Sequence, residues 1–278
     1  MSHIPEAIVR VRAPFSHLEG RRIFRLILAT IRAQSKLSIR DWAVLTPVIV
    51  MPLQVLPAMA VFIASNRVDL AGYAITAALL FSIGQMCFSV SSEIVSNDRN
   101  DERLELLVAT PAPYAVVLGA RALVVSCLGL AGFVEAWLLT KLVFGITIAI
   151  HHPLILSLAL AGSAVAGGGT AVLTAALFCL AKETRTIQNA VYGPFYLMSG
   201  ILVPITFLPA WLQIFSPFFF FYWSAELVRD ALSSAPIADV SLRISALIGL
   251  GATAAVIGAL ILTRMLDKLR RDGRLGLA

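Results

Sequence analysis

Between Asp41 and Arg67 the chain reads D-WAVLTPVIVMPLQVLPAMAVFIASN-R, 25 consecutive residues without a charge. A helix needs about 20 apolar residues to cross about 30 Å of hydrocarbon. This stretch is long enough to do so. Working outward, Asp69 and Glu93 bracket 23 uncharged residues, and Arg243 and Arg264 bracket 20. Lys141 to Lys182 and Arg185 to Glu226 each bracket 40, too long for one crossing. The first is broken near Gly145 to Pro153, the second by Pro204, Pro209 and Pro217. Tyr114 to Phe144 is apolar apart from Arg121, Glu135 and Lys141. These runs predict six spans, at about 43–64, 72–94, 114–144, 154–180, 187–206 and 244–264. The fold class expected is all-α, a polytopic membrane protein with short re-entrant helices before the last span.

Composition agrees. Of 278 residues, 59% are hydrophobic and only 14% charged, against roughly 25% charged in a soluble domain. Mean hydropathy is +0.87. An ordinary soluble enzyme, a disordered chain and a secreted disulfide scaffold are excluded. Cys87, Cys127 and Cys179 all lie in apolar runs and read as buried thiols.

The net charge of +6 reflects orientation. With a cytoplasmic N-terminus, 17 Lys and Arg fall on the inner side and four, Arg67, Lys141, Arg229 and Arg243, on the outer side. The positive-inside rule then places both termini in the cytoplasm. The basic balance needs no nucleic acid. Residues 1–20 read as a cytoplasmic tail and 21–278 as one transmembrane domain. No signal peptide is expected; Ile23 to Ile31, with Ile23, Phe24, Ile27 and Ile31 on one side, reads as an amphipathic helix at the membrane interface.

Residues Gly167-Gly168-Gly169 lack the lysine and the strand–loop–helix setting of a phosphate cradle. Close helix packing is expected there, a hinge being the other reading. No nucleotide-binding motif, metal cluster or catalytic triad is evident. Adjacent His151 and His152 do not converge on one metal and read as a solvated loop pair.

Four constellations remain. The stretch SEIVSNDRNDERLELLVATPAP, from Ser92 to Pro113, predicts a short helix over 98–111, capped by Asn97 or Asp98 and stopped at Thr110-Pro111. Leu104, Leu107 and Val108 form its apolar ridge. Insertion into a partner's groove and a connector lying on the bilayer are both open. Second, polar residues stripe two spans: Ser82, Gln85, Ser89 and Ser92 in one, Asn189, Tyr192, Tyr196 and Ser199 in the other. Such faces turn to protein or water, as interhelical hydrogen bonds or as a substrate-facing wall. Third, Glu135 sits mid-span and must be protonated, paired or wet; Arg121, nearer the inner end, is expected to snorkel. Fourth, prolines 204, 209 and 217 break the outer segment, with Trp211, Tyr222 and Trp223 at headgroup depth. Glu226 and Arg229, at i and i+3, are expected to pair.

The first and last of these carry a resemblance. Arg103-Leu104-Glu105, Leu107, Thr110, Pro111, Gly119 and Arg121 fall on the loop pattern of ABC transporter permeases of the type-2 exporter class. The usual glycine before Leu-Glu is replaced here by Glu102-Arg103. Ser199, Gly200, Pro204, Leu208, Pro209, Trp211, Leu212, Pro217, Glu226 and Arg229 resemble that family's C-terminal signature, with Ser216 where asparagine is usual. The resemblance covers most of residues 21–266. It implies the membrane subunit of an ATP-driven exporter at the plasma membrane, in particular a bacterial inner membrane. A separate cytoplasmic ATPase would supply ATP and magnesium chemistry, no cofactor being bound by this chain. The second half of the pathway would come from another permease copy or a paralogue. Asp101, Glu102, Arg103, Leu104, Glu105, Leu107, Thr110 and Pro111 become the expected ATPase-coupling residues. Ser82, Gln85, Ser89, Asn189, Tyr192, Tyr196 and Ser199 become the expected substrate path. Pro204, Trp211, Glu226 and Arg229 mark the outer re-entrant segment. The mixed stripes favour an amphipathic drug-like or lipid-like cargo, with a lipid-linked glycan as the alternative. The rival from another class is an ion-coupled secondary transporter using Glu135.

Overall fold

The computed structural model describes residues 17–100, 114–178, 184–201, 205 and 208–272. Among them there is no strand. An amphipathic helix, α1 (His17–Ser38), leads into α2 (Trp42–Val50), where Asp41 caps the N-terminus by accepting from the Ala43 N–H at 2.9 Å. Pro52, which has no N–H to donate, opens a 3₁₀ turn (Pro52–Gln54) between α2 and α3 (Val55–Ala64). The first span is thus a broken rod. The second is α4 (Ala71–Gln85), a π-helical turn (Met86–Val90) and α5 (Ser91–Asn100). The third is α6 (Tyr114–Gly129) and α7 (Ala131–Phe144), stopped by Gly145 at φ 68°. The fourth is α8 (Pro153–Phe178) and the last lies in α12 (Val240–Asp272).

Among the described residues, five stretches are long and apolar enough to cross a membrane: Trp42–Ala64, Val68–Val95, Tyr114–Phe144, Pro153–Phe178 and Val240–Asp267. The stretch read as a span over 187–206 contains α9 (Thr184–Met198), 15 residues. That is about 22 Å at 1.5 Å per residue, short of the hydrocarbon thickness. Gly200, at φ 69°, ends it by donating its N–H to Leu197 O. Two short helices follow, α10 (Ala210–Gln213) and α11 (Phe220–Leu232).

The three-glycine run explains why α8 is the hub. Consecutive helical residues point about 100° apart, so the run faces three neighbours. A methyl group on Gly167 would lie 2.7 Å from Cys87 Sγ in the second span. One on Gly168 would lie 3.2 Å from Leu123 Cα in the third, and one on Gly169 would overlap the Gly251 carbonyl oxygen in the last. Small residues let backbones approach where lipid offers no hydrophobic drive between helices.

Two expected placements change. Cys127 is exposed, whereas Cys87 is buried; Cys179 lies outside the described residues. Phe24 is also exposed, because α1 turns Ile23, Leu26, Ile27, Ile31 and Gln34 inward against its neighbours and leaves Phe24 outside.

Candidate functional site

The expected coupling residues Asp101, Glu102, Arg103, Leu104, Glu105, Leu107, Thr110 and Pro111 lie outside the described residues, and so do Leu208's neighbours Pro204 and Phe207. The side chains of Ser89, Ser92 and Asn189 are likewise not described. What flanks the coupling segment on both sides is described.

Asp98 does not cap a new helix. It sits inside α5, which continues the second span through the π-helical turn. Its carboxylate is buried and paired: Arg121 Nη1 lies 2.5 Å from Asp98 Oδ2, and the Tyr114 hydroxyl donates to the same oxygen at 3.1 Å. Arg121 does not snorkel to water. Its Nε donates to Gln34 Oε1 of α1 at 2.9 Å, and Gln34 Nε2 donates to Ser38 Oγ at 3.0 Å. A buried ion pair holds only if further hydrogen bonds satisfy both ions, and here Tyr114 and Gln34 do so. The network ties α1, α5 and α6 into one unit at the end of the membrane where the 101–113 segment begins and ends. Gln34 and Tyr114 were not singled out in the sequence. The signal that points to them is Arg121, a cation in an otherwise apolar helix that requires partners.

About two to three turns deeper, the π-helical stretch frees backbone carbonyls from the usual ladder. Thr174 Oγ1 of α8 donates to Cys87 O at 3.2 Å, and Gln188 Nε2 of α9 donates to Phe88 O at 3.2 Å. Gln188 thereby anchors α9 to the second span.

The expected substrate-path residues divide between two packing faces. Ser82 is fully buried towards α7, where a methyl on Gly132 would lie 2.6 Å from its Cβ; its hydroxyl has no partner. Gln85 is half-buried. Tyr196 is buried against Gly84, packed edge-on to Phe81 with ring centroids 4.7 Å apart. Tyr192 lies 5.2 Å from the Phe88 ring, and Phe195 4.7 Å from Phe219. Ser199 is buried and donates back to Phe195 O at 2.6 Å. The second span, α9 and α11 thus meet through an aromatic seam.

The outer segment is clamped by Arg229. Its Nη2 donates to Gly200 O at 2.7 Å, and its guanidinium lies 4.3 Å from the centre of the Tyr73 ring. It makes no ion pair with Glu226, because the Gly200 carbonyl and Tyr73 hold it away from its own helix face. Burial pushes the Arg229 pKa down, opposed by Tyr73, Glu226 and Asp230. Burial pushes the Glu226 carboxyl up, reinforced by Asp230 and opposed by Arg229 and Arg243. Asp230 itself pairs with Arg243 at 2.5 Å, joining α11 to α12. Ser216, fully buried, donates to Met198 O at 2.6 Å and ties the Pro217 turn to the end of α9. Trp211 is exposed and, with Pro194, Leu197, Met198, Leu212 and Phe215, lines an all-apolar recess of about 620 Å³. Trp223 Nε1 donates to Pro217 O at 2.9 Å.

Glu135 is half-buried on α7, with exposed Val134 and Leu138 beside it. The histidines lie in the loop before α8, His151 exposed and His152 half-buried, and their rings reach carbonyls. The His151 ring binds Leu232 O at 2.9 Å, the His152 ring binds Ala235 O at 3.2 Å, and the His152 N–H donates to Ala231 O. They satisfy carbonyls at the C-terminal end of α11, where helices leave acceptors open, and in the turn that follows it.

A family model described as "ABC-2 type transporter" matches residues 25–232, and the chain belongs to that family. A comparison with curated proteins finds no match. The chain is a multi-pass membrane protein and a permease component of an ABC transporter, in a family whose ATPase activity resides in a separate subunit.

Proposed function

We propose that this permease component works in an ATP-driven exporter, moved from the cytoplasmic side by a partner ATPase through the 98–111 segment. The observation that carries this reading is the Asp98–Arg121–Gln34 network. It joins the last described turn before that segment to both α1 and the third span. Leu104 and Leu107 follow Asp98 by six and nine residues of chain, and Asp98 cannot move without α1 and α6 or without losing its buried partners. The ATP-bound and cargo-bound states would be populated by their differential affinities.

A second copy or paralogue completes the path. It is supported by the apolar recess beside Trp211 and by how little of the first and last spans is buried, 17% of each against 80% of the second. The aromatic seam, carrying tyrosine hydroxyls among apolar rings, suits an amphipathic drug-like or lipid-like cargo.

The test is co-purification with the ATPase expressed alongside it. Leu104→Asp/Leu107→Asp should leave the permease in the membrane and abolish cargo-stimulated ATP turnover. Unchanged stimulation overturns the coupling role.

A further inference from the structure

A cavity of about 380 Å³ opens at the membrane face where the first span ends and the second begins. Val68, Asp69 and Ala71 to Tyr73 form one wall, Ile146 to Ile148 after the third span another, and Arg229, Leu232 and Ser233 of the α11 end the third. Its lining includes no residue of the coupling network or of the aromatic seam.

Arg229 is its unusual feature. Of its five N–H donors, Nη2 is engaged with Gly200 O, and the guanidinium is stacked on Tyr73. Nε is buried with no partner. Nε is closed off from the cavity, so the group that can meet an acceptor from outside the chain is Nη1, which makes no hydrogen bond among the described residues while Arg229 lines the cavity. The nearest acid on the lining, Asp69, is already taken: Arg67 holds it through Nε–Oδ1 at 3.1 Å and Nη2–Oδ2 at 3.1 Å. Asp69 is thereby neutralised, which leaves Arg229 as the cation on the lining, with Glu226 and Asp230 near enough to act on it. Thr147 and Ser233 add hydroxyl groups to the lining.

We propose that this cavity binds the phosphate of a membrane phospholipid headgroup. Depth favours a lipid source. The cavity is built from the ends of the first and third spans and the start of the second, so it lies where spanning helices leave the hydrocarbon and lipid phosphates reside. Guanidinium groups match phosphate geometry and are weakly hydrated, which suits a half-dry site. The bound headgroup would brace Arg229 between Gly200 and Tyr73 and so hold the outer ends of the second span and α9 together. The inference does not depend on the transport reading above.

The experiment uses the full-length chain in detergent. Binding is measured for dihexanoyl phosphatidylglycerol, for inorganic phosphate, and for a dihexanoyl glycerolipid with an uncharged sugar headgroup. The phospholipid should bind saturably and raise the melting temperature. Its affinity should fall about tenfold in Arg229→Gln, as expected for a lost charge-assisted hydrogen bond. Should Arg229→Gln fail to fold, Thr147→Trp fills the cavity from an exposed loop position and leaves the Arg229 contacts intact; it should weaken the lipid equally. If inorganic phosphate alone binds as tightly as the lipid, the lipid assignment is overturned. If the sugar lipid binds as well, or the folded variants bind phospholipid unchanged, the phosphate site itself is overturned.

Discussion

Arg121 Nη1 and Asp98 Oδ2 meet at 2.5 Å across 23 residues of chain, and the segment between them includes the whole expected coupling region. The pair closes that loop at its base. It makes the loop's two stems, α5 and α6, a single lever rather than two independent helices.

The first prediction separates stability from coupling at this pair. Arg121→Leu leaves the Asp98 carboxylate buried without its cation and should cost about 3 kcal/mol. Adding Asp98→Leu removes the stranded charge and should restore most of the melting temperature. Cargo-stimulated ATP turnover should stay low in the double variant. Recovery of turnover together with stability would show that the pair merely holds the fold.

The second prediction contrasts two glycines on packed helices. Gly169→Ala drives a methyl into the Gly251 carbonyl oxygen and should destabilise the bundle. Overpacking of this kind costs about 1–3 kcal/mol. Gly249→Ala has nothing within 4 Å of the new methyl. It should stabilise α12 by about 1 kcal/mol through helix propensity. Melting temperatures of the two variants should move in opposite directions.

The spans were readable because insertion depends on local chemistry: an uncharged run such as 42–66 is apolar wherever the rest of the chain goes. Which side of a span faces inward was much less readable. Cys127 lies in a helix that is apolar on nearly every side apart from Arg121, so no polar stripe marks its outer face, and it proved exposed. The family signature located Arg229 and Glu226 but not their partners. An i, i+3 spacing suggests a pair, yet Gly200 and Tyr73 reach Arg229 only after the chain has crossed the membrane several times. The same holds for Gln34 and Arg121, which lie 87 residues apart. Long-range polar partners depend on how α1 crosses α6, which no local pattern records.

The third prediction concerns Ser216, which stands where the resembling family usually carries asparagine. Its hydroxyl donates to Met198 O in the last turn of α9, where helices leave carbonyls open. Ser216→Ala removes that donor in a fully buried site and should cost about 1–2 kcal/mol. Limited proteolysis should show the 199–216 connection opening before the spans do. Equal protection in wild type and variant would argue against the tie.

The fourth prediction is a pH dependence at Glu226. Burial, aided by Asp230, raises its carboxyl above the ordinary value of 4.5, against the pull of Arg229 and Arg243. The folded state therefore binds a proton more tightly than the unfolded chain does. The stability this supplies is full below about pH 4.5 and is lost as pH rises through the elevated folded value. Glu226→Gln carries no such proton and should flatten that part of the profile. Melting temperatures measured from about pH 5 to about pH 8 should show the variant gaining on wild type as pH rises. A constant offset across the range would mean that Glu226 is ionised in the folded protein at every pH tested and that Arg229 and Arg243 outweigh its burial.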